Sequence, residues 1–397
     1  MAPDKKKKSI NLPDEIIFDI LLCLPIKSLM RFRCVNKTWL QLLTNDPQFA
    51  PLYVHQVTSK SNKNNNNSPS LLAFRKETLK DQTHICSAVE LTACDKVVNL
   101  ELPFCRGTTN PSYVLHTICN GLLLVSLADE KEKKKLLIWN PFTNDYIHIP
   151  YPPPIPKHNK CSASGNKIRN CFGFCFHEGI NQYKVIWFSD CELIIPFHNR
   201  LHVSVYTLGT DSSSWRNLKD IEYKSVRTNC APALVNGALH WIAFIGFLRH
   251  SPRILSFDMK DEAFKEIPLP HQIPNGTSKY FSRVGELGGL LCILLGTQHG
   301  DNFDIFVMQQ YGVANSWIKH CTIVRREILG SFLFLRTLSF TQNREILLIT
   351  VAGELILYNL ETNSFKLAGF GHHFYNAYTY RPSFISPRAI CGGSPIM

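Results

Sequence analysis

The sequence predicts an α+β multidomain protein, with a small three-helix module followed by a large all-β domain. Apolar residues recur at helical spacing between Asn11 and Pro47. From Leu71 onward, short runs of Val, Ile, Leu, Phe and Tyr are separated by Gly, Pro, Asn and Asp, which is typical of strands and turns. The chain has 397 residues, enough for one short module and one large domain.

The first predicted helix follows Pro13, a residue that suits the first helical position. Asp14 and Glu15 place negative charge in the first turn, where the helix dipole favours it. The apolar face of this helix comprises Ile16, Ile20, Leu21 and Leu24. We expect about three turns, ending before Pro25.

Pro25 ends the first predicted helix and can open the second, and Asn36 is the expected N-cap of a third. The apolar residues of the second helix are Ile26, Leu29, Met30 and Phe32, and those of the third are Trp39, Leu40, Leu42 and Leu43. Three helices in so short a segment bury only part of their apolar surface. The remainder needs a cover, which is either the rest of the chain or a partner.

The same segment carries a set of residues at fixed spacing. The set consists of Leu12-Pro13, the Ile16-Ile17-x-x-Ile20-Leu21-x-x-Leu24-Pro25 run, Lys27-Ser28-Leu29, Arg31-Phe32-Arg33-Cys34-Val35 and Lys37-x-Trp39. Together they resemble the F-box of plant F-box proteins. Asn36, Thr38 and Leu40 depart from the usual Cys, Ser and Arg, and none of these departures removes an apolar position.

The resemblance implies that the module binds a Skp-family adaptor, and through it a cullin and a RING subunit of an SCF-type ubiquitin ligase. By this resemblance the adaptor contacts are Leu12, Pro13, Ile16, Ile20, Leu21, Leu24, Pro25, Leu29, Phe32, Val35 and Trp39. From the pattern alone, the same residues also suit a helical cap on the rest of the chain.

The formal net charge of +12 raises nucleic acid or an acidic surface as a partner. Two lysine-rich runs, Lys5–Lys8 and Lys131–Lys135, supply much of this charge, and the first could serve nuclear import. We find no aromatic platform between basic residues and no helix-turn-helix pattern, so nucleic acid is not an expected partner.

No apolar stretch reaches the length of a membrane helix, and the N-terminus does not resemble a secretory signal. We therefore expect a cytoplasmic or nuclear protein without a membrane partner. The 14 cysteines are scattered without metal-ligand spacing, so no metal or other cofactor is expected. Cys171 and Cys175, the closest pair, should share one face of a strand.

The predicted boundaries follow shifts in composition. We expect a basic flexible tail over residues 1–10, the F-box over 11–50, and a linker over 51–70 that contains an Asn-rich loop. The β domain should span 71–390, and a second flexible tail 391–397.

The β domain repeats a unit in which an aromatic residue ends a strand, Asn or Asp opens a turn, and a second aromatic follows seven residues after the first. The clear copies are Trp139–Tyr146, Phe257–Phe264 and Tyr358–Phe365, and the pairs Tyr206/Trp215 and Phe306/Trp317 resemble copies with longer turns. Because Asn and Asp can bond their own backbone, we expect tight hairpins braced by the aromatic pair.

Gly121, Gly237 and Gly289 open apolar strands, and together with Gly173 they recur at intervals of about fifty to sixty residues. A four-stranded repeat of that length is typical of a kelch-like β-propeller. Counting Leu71–Leu102 as the first unit gives about six blades, within a range of five to seven.

The β domain also resembles a known family. The matching pieces include Cys119-Asn120-Gly121-Leu122-Leu123, Trp139-Asn140-Pro141, Phe172-Gly173-Phe174, Asn236-Gly237-Ala238-Leu239-His240-Trp241 and Tyr311-Gly312-Val313. In this order after an F-box they are similar to the F-box-associated domain of plants, which implies a substrate-recruiting role. The expected contact segments are Pro150–Pro156, Lys157–Asn170 and His198–His202.

Three hypotheses follow. The leading one is a non-catalytic substrate receptor that recruits an unidentified protein for ubiquitination. The second is a non-proteolytic F-box scaffold, and the third a propeller enzyme with a helical cap. Paired carboxylates and common catalytic motifs are absent from the sequence, and His372-His373 is expected to be a surface pair, so we prefer binding to catalysis.

Overall fold

The N-terminal module contains three helices, α1 (Asp14–Leu22), α2 (Ile26–Phe32) and α3 (Lys37–Asn45), as predicted. The protein is described by a computed structural model, which covers residues 12–46, 49–50, 52–54, 56, 70–74, 86–90, 97–100, 102–103, 112–128, 134–155, 168–191, 200–210, 214–223, 225–226, 231–245, 251–271, 279–297, 302–324, 336–340, 345–349, 354–367 and 376–393. The Asn36 side chain caps α3 by accepting a hydrogen bond of 2.7 Å from the Trp39 backbone N–H.

The module extends further than the sequence indicated. Residues 52–54, which we expected within a linker, are helical. Tyr53 is only 4 % exposed, and its hydroxyl donates a hydrogen bond of 3.1 Å to the Leu24 carbonyl. This segment therefore belongs to the core of the module.

The β domain forms six sheets in the described part of the chain, which confirms the predicted propeller of about six blades. Blade 1 contains β1 (Ser70–Phe74), β2 (Cys86–Glu90), β3 (Val97–Leu100) and β25 (Asn376–Tyr380). Blade 2 contains β4 (Ser112–Cys119), β5 (Leu122–Ala128), β6 (Lys134–Asn140) and β7 (Asp145–Ile149). Blade 3 contains β8 (Ile168–His177), β9 (Gln182–Cys191), β10 (His202–Thr207) and β11 (Arg216–Asn217).

The remaining three blades follow in chain order. Blade 4 contains β12 (Ser225–Val226), β13 (Ala233–Val235), β14 (Ala238–Ile245), β15 (Ser251–Asp258) and β16 (Ala263–Ile267). Blade 5 contains β17 (Lys279–Leu287), β18 (Leu290–Thr297), β19 (Asn302–Met308) and β20 (Trp317–Val324). Blade 6 contains β21 (Arg336–Phe340), β22 (Glu345–Ile349), β23 (Leu355–Asn359) and β24 (Ser364–Leu367).

The two ends of the β domain meet in blade 1. Strand β25 pairs antiparallel with β1, with Tyr378 opposite Leu72, and the Tyr378 hydroxyl donates a hydrogen bond of 3.0 Å to the Leu115 carbonyl in blade 2. This pairing closes the ring of blades by placing strands from both ends of the β domain in one sheet. Sequence periodicity does not predict it, because the two strands are separated by almost the whole domain.

The aromatic hairpins form as predicted. Trp139 lies directly opposite Tyr146, Phe257 opposite Phe264, and Tyr358 opposite Phe365. In each hairpin the Asn or Asp that opens the turn accepts two hydrogen bonds from the backbone of the turn, and the acceptors are Asn140, Asp258 and Asn359. The side chain therefore fixes each turn, as expected for an Asx motif.

The two longer copies of this unit differ. The Tyr206 and Trp215 rings are in contact at 5.6 Å, but Trp317 lies opposite Met308 rather than Phe306, because the hairpin turn begins after Met308. Both tryptophans instead reach the preceding blade. Trp215 Nε1 donates 2.8 Å to the Pro150 carbonyl, and Trp317 Nε1 donates 2.8 Å to the Pro268 carbonyl.

The strand order gives the propeller two different faces. In an antiparallel meander, the turns after the first and third strands lie at one end of the blade, and the other connections lie at the opposite end. The first end, which we call the turn face, carries Asn120–Gly121, residues 141–144, Asn236–Gly237, residues 259–262 and residues 360–363. The second end, the connection face, carries the segments between blades.

Gly121, Gly237 and Gly289 lie in turns directly before strands, at the predicted strand entries, whereas Gly173 lies inside a strand. Gly173 lies in the middle of β8, where an added Cβ would be 2.7 Å from both Leu239 Cδ1 and Trp241 Cζ2 of blade 4. Its role is to let two blades pack closely.

Replacing Gly173 with alanine is expected to destabilise the propeller by about 1–3 kcal/mol, because the extra methyl group overpacks the interface between blades 3 and 4. The measurement is urea unfolding monitored by fluorescence. Gly237→Asn is the matched control: Gly237 has a φ of +71° with open space around it, and asparagine tolerates that backbone region. Equal stability of Gly173→Ala and wild type would contradict the packing argument.

Candidate functional site: the exposed face of the N-terminal module

The inner side of the N-terminal module is a hydrophobic core shared with the propeller. Buried side chains from all three helices and from residues 49–53 pack in one cluster with Phe384, a residue that follows the last strand of the β domain. The buried members are Leu21, Leu29, Leu43, Phe49, Tyr53 and Phe384, and Phe142 of blade 2 packs against them. The module therefore does cap the propeller.

The outer side of the module exposes a row of apolar side chains to solvent. Leu12 is 49 % exposed, and Ile16 and Ile20 are each 46 % exposed. These residues are four positions apart, so they follow one another along one face of α1 and the residues before it. We call this row the α1 stripe. Large aliphatic side chains in a row on one helix are typical of a partner-binding surface.

The structure divides the predicted adaptor contacts into three groups. The exposed ones are Leu12, Pro13, Ile16, Ile20, Pro25 and Val35, the half-buried ones Leu24, Phe32 and Trp39, and the buried ones Leu21 and Leu29. Phe32 and Trp39 pack edge-to-face against each other with ring centroids 5.3 Å apart. The adaptor contacts of the exposed group stay a prediction.

Leu21 and Leu29 require a correction. We expected both on the partner-binding surface, but they are 1 % and 0 % exposed and lie in the cluster that joins the module to the propeller. The helical pattern could not separate the two faces, because both faces of α1 and α2 are apolar. In this structure Leu21 and Leu29 support the α1 stripe from behind.

Charged residues flank the stripe. Asp14, Glu15 and Asp19 are exposed on α1, and Arg31 and Lys37 are exposed on α2 and α3. The module thus presents an apolar row with acidic residues on its own helix and basic residues on the neighbouring helices. Such a surface can bind a complementary groove, and it holds no group arranged for bond-making chemistry.

Sequence reasoning missed Phe142 and Phe384, which connect the module to the propeller. The ring of Phe384 contacts the ring of Phe142 at 5.4 Å and that of Tyr53 at 6.3 Å. A signal for Phe142 was present in the repeats: the equivalent turn positions in blades 4 and 6 are the charged residues Lys260 and Glu361. An aromatic residue at a solvent-facing turn position indicates a contact.

Family comparison agrees with both halves of this architecture. A model of the F-box domain matches residues 10–49, and a model of the F-box-associated β-propeller domain matches residues 75–385. The chain belongs to the F-box proteins with an F-box-associated propeller. Residues 10–49 contain α1, α2 and α3, so the α1 stripe lies on the F-box.

Similar proteins are known in Arabidopsis thaliana. F-box protein At3g07870 is 30 % identical over 90 % of this chain and 87 % of its own length. F-box protein CPR1 is 25 % identical over 89 % of this chain and 83 % of its own, and F-box/kelch-repeat protein At3g23880 is 25 % identical over 89 % of each. This chain is accordingly a plant F-box protein.

One cluster in the propeller of this F-box protein has the outline of a hydrolytic triad. His202 Nε2 lies 3.2 Å from the Ser204 hydroxyl, and His202 Nδ1 lies 3.1 Å from Asp220 Oδ1. Ser204 is fully buried, however, and its hydroxyl donates a hydrogen bond of 2.8 Å to Asn217 Oδ1. A nucleophile needs access to substrate, so this network holds β10 and its neighbours together rather than forming a catalytic site.

Other site types find little support in the described ranges. No group of three or more His, Cys, Asp or Glu side chains there could hold a metal ion, and no described helix is long and apolar enough to span a bilayer. Cys171 and Cys175 lie on one face of β8 and share one core cluster, as an alternating strand predicts. His372 and His373 lie outside the described residues.

Two histidines of the F-box protein, the half-buried His116 and the fully buried His240, have lowered pKa values. Burial lowers the pKa of His116 to about 3 and that of His240 to about 4. His240 Nδ1 lies 3.2 Å from the Ala233 carbonyl and must donate to it, so the neutral ring accepts at Nε2 from the Tyr311 hydroxyl at 2.7 Å. Because the folded pKa values lie below the unfolded value, the unfolded chain binds more protons below pH 6.5.

We therefore expect stability to fall as pH decreases from about 6.5 towards 4, by about 2 kcal/mol per histidine between pH 7 and pH 5. Urea unfolding at both pH values measures the loss. His240→Gln should keep a neutral hydrogen-bonding side chain and show a pH dependence smaller by about 2 kcal/mol. If wild type and His240→Gln lose equal stability, the buried neutral His240 is not the cause.

Proposed function

We propose that this F-box protein is the substrate-recognition subunit of an SCF-type ubiquitin ligase. Its F-box binds a Skp-family adaptor, which connects it to a cullin and a RING subunit, and its propeller recruits a target protein. The observation that carries the proposal is the α1 stripe: Leu12, Ile16 and Ile20 stay exposed although the other side of the same helix is buried against the propeller.

The F-box lies at one face of the propeller, which supports separate binding roles for the two faces. The F-box packs beside Phe142, which lies in the turn that connects β6 and β7 on the turn face. The connection face is therefore left for a target. The three contact segments predicted from the sequence belong to connections at that face, although residues 156–167 and 198–199 within them lie outside the described part of the chain.

In this role the chain supplies proximity. It holds a target near activated ubiquitin, and other subunits carry out the transfer. The chain itself is then non-catalytic. An SCF receptor acts in the cytoplasm, the nucleus or both, which is where we place this protein.

Reconstitution tests the proposal. The full-length chain is co-expressed with a Skp-family adaptor, a cullin and a RING subunit, and their co-purification as a stable complex is the expected result. Proximity labelling in plant cells with cullin activation blocked should then enrich proteins that accumulate beside the receptor. Ubiquitination of an enriched protein by the purified complex would establish the function.

Two outcomes would redirect the assignment. A folded chain that does not bind any Skp-family adaptor would overturn the receptor role. A chain that binds adaptor and cullin but directs no ubiquitination or turnover of any neighbour would instead favour the non-proteolytic scaffold.

A further inference from the structure

The segment after the last strand of the propeller lies across the turn face. Residues 381–393 include a short helix, α4 (Pro387–Ile390), which contacts β6 and β7 of blade 2. The chain passes so close to Gly121 that an added Cβ would lie 2.7 Å from the Arg381 carbonyl. The Ser383 hydroxyl donates a hydrogen bond of 2.6 Å to the Asn120 carbonyl. This segment is therefore a packed element of the fold.

The turn between β6 and β7 of blade 2, against which this segment packs, differs from the equivalent turns of blades 4 and 6. Asn140, Asp258 and Asn359 all fix their turns in the same way, but Asn140 alone among the three is fully buried. Its Nδ2 group donates to the Ser383 carbonyl at 2.9 Å and to the Ile385 carbonyl at 2.8 Å. The oxygen of the side chain holds the turn and the nitrogen holds the C-terminal segment.

A second contact from the same turn holds α4. Asp145 is 1 % exposed, accepts a hydrogen bond from the Ser386 hydroxyl and lies 2.8 Å from Arg388 Nε. The equivalent positions in blades 4 and 6 are Ala263 and Ser364, which cannot form an ion pair. The turn of blade 2 thus combines three features that its copies lack: a buried Asn140, an aromatic Phe142 and a buried carboxylate.

Phe384 lies between Ser383 and Ile385, whose carbonyl groups accept hydrogen bonds from Asn140. With its two flanking residues tied to blade 2, its ring is directed into the F-box cluster, where it contacts Phe142 and Tyr53. Tyr53 in turn stacks on Phe49, whose ring centroid is 6.1 Å away, and Phe49 contacts Phe18 of α1 at 5.5 Å. A continuous row of aromatic rings therefore links the C-terminal segment to the helix that carries the α1 stripe.

We propose that the C-terminal segment is a clamp that positions the F-box on the turn face, with Phe384 as its contact and Asn140 as its anchor. Domains joined by a modest interface move relative to one another by default, and the clamp restricts that motion. The consequence for ubiquitin transfer rests on the proposed function: a fixed F-box sets the direction and distance between the adaptor and a target on the connection face.

The test measures the orientation of the F-box in the full-length chain without any partner. A fluorophore pair is introduced by noncanonical amino acids at two exposed positions, Asp19 on α1 and Lys265 on β16, so that the native cysteines stay in place. Single-molecule energy transfer then gives the distribution of distances between F-box and propeller. Thermal unfolding of the propeller is recorded in parallel.

Two variants weaken the clamp at different points. Phe384→Ala removes the aromatic contact. Asn140→Asp keeps the oxygen that fixes the turn but replaces the two donated hydrogen bonds with a buried carboxylate oxygen that faces the Ser383 and Ile385 carbonyl groups, which should release the C-terminal segment. Blade 4 shows that such a turn tolerates aspartate, since Asp258 occupies the equivalent position. Asn359→Asp in blade 6 is the matched control, because it makes the same substitution in a turn that holds no C-terminal segment.

A single narrow distance distribution is expected for wild type and Asn359→Asp. Both clamp variants should widen this distribution, on the order of twofold, at temperatures where the propeller of each variant is still folded. Phe384→Tyr, which keeps the ring, should restore the narrow distribution. Because Asn140→Asp leaves the F-box core intact, it remains informative even if Phe384→Ala unfolds the F-box.

Narrow distributions in both clamp variants would overturn the proposal. So would equal widening in Asn359→Asp, since the effect would then come from the turn and not from the C-terminal segment. The readout needs no adaptor, so failure of the clamp is distinguishable from failure of the proposed function, which appears as a wild-type chain that does not bind adaptor.

Discussion

Replacing Ile16 and Ile20 together with aspartate is expected to reduce the affinity for a Skp-family adaptor by at least about a hundredfold. Both side chains are 46 % exposed in the free chain and would be buried on binding. The exposed part of each side chain contributes about 1 kcal/mol when it is buried, and each introduced carboxylate costs about 1 kcal/mol or more because it loses water without gaining a partner. The two substitutions together therefore remove about 3 kcal/mol or more, which corresponds to at least two powers of ten in the dissociation constant. Titration calorimetry with purified adaptor measures the change.

The matched control for this variant is Leu367→Asp. Leu367 is another exposed leucine, at 59 %, but it lies in β24 of blade 6, away from the α1 stripe. Its replacement should leave adaptor affinity unchanged. Because Ile16 and Ile20 face solvent, the double variant should also keep the unfolding temperature of wild type. Wild-type affinity in the double variant would mean that the adaptor binds elsewhere.

Leu29→Ala should have the largest effect on the stability of the F-box, about 2–5 kcal/mol. Leu29 is fully buried in the cluster shared with Phe384, so the substitution leaves a cavity at the centre of the contact between F-box and propeller. Hydrogen exchange of the amides in α1, α2 and α3 measures this loss. Ile20→Ala, on the exposed side of the neighbouring helix, is the control and should change stability by no more than about 0.5 kcal/mol.

The Leu29→Ala variant also distinguishes a residue that stabilises the F-box from residues that contact the adaptor. It should weaken adaptor binding only through the smaller folded fraction, so excess adaptor should restore both binding and amide protection. For the variant with aspartate at residues 16 and 20, adaptor should not restore binding until its concentration is about a hundredfold higher than wild type requires. If Leu29→Ala keeps wild-type exchange rates, the packed interface between F-box and propeller is not formed in solution.

The sequence predicted the parts of the fold that depend on local pattern. The helices of the F-box follow from apolar spacing and from Pro13, Pro25 and Asn36, and the hairpins follow from an Asn or Asp between two aromatics. Those signals lie within ten residues of the structure they specify. Blade number followed from their spacing.

Contacts between distant segments were not predictable in the same way. Strand β25 pairs with β1 across the whole domain, and Phe384 enters the F-box core from the other end of the chain. Leu21 and Leu29 have the same chemistry as Ile16 and Ile20, so the pattern could not tell which side of the module would face the propeller. Only the comparison of repeat turns, with Phe142 in place of a charged residue, held a usable hint.

The central claim is that the α1 stripe is the adaptor-binding surface and that the connection face stays free for a target. Hydrogen exchange of the full-length chain with and without a Skp-family adaptor tests it most directly. We predict that adaptor slows exchange in α1 and at the start of α3, near the exposed residues Ile16, Ile20 and Val35, and leaves the propeller strands unchanged. Protection of strands β8 to β10, or no protection of α1, would contradict the account.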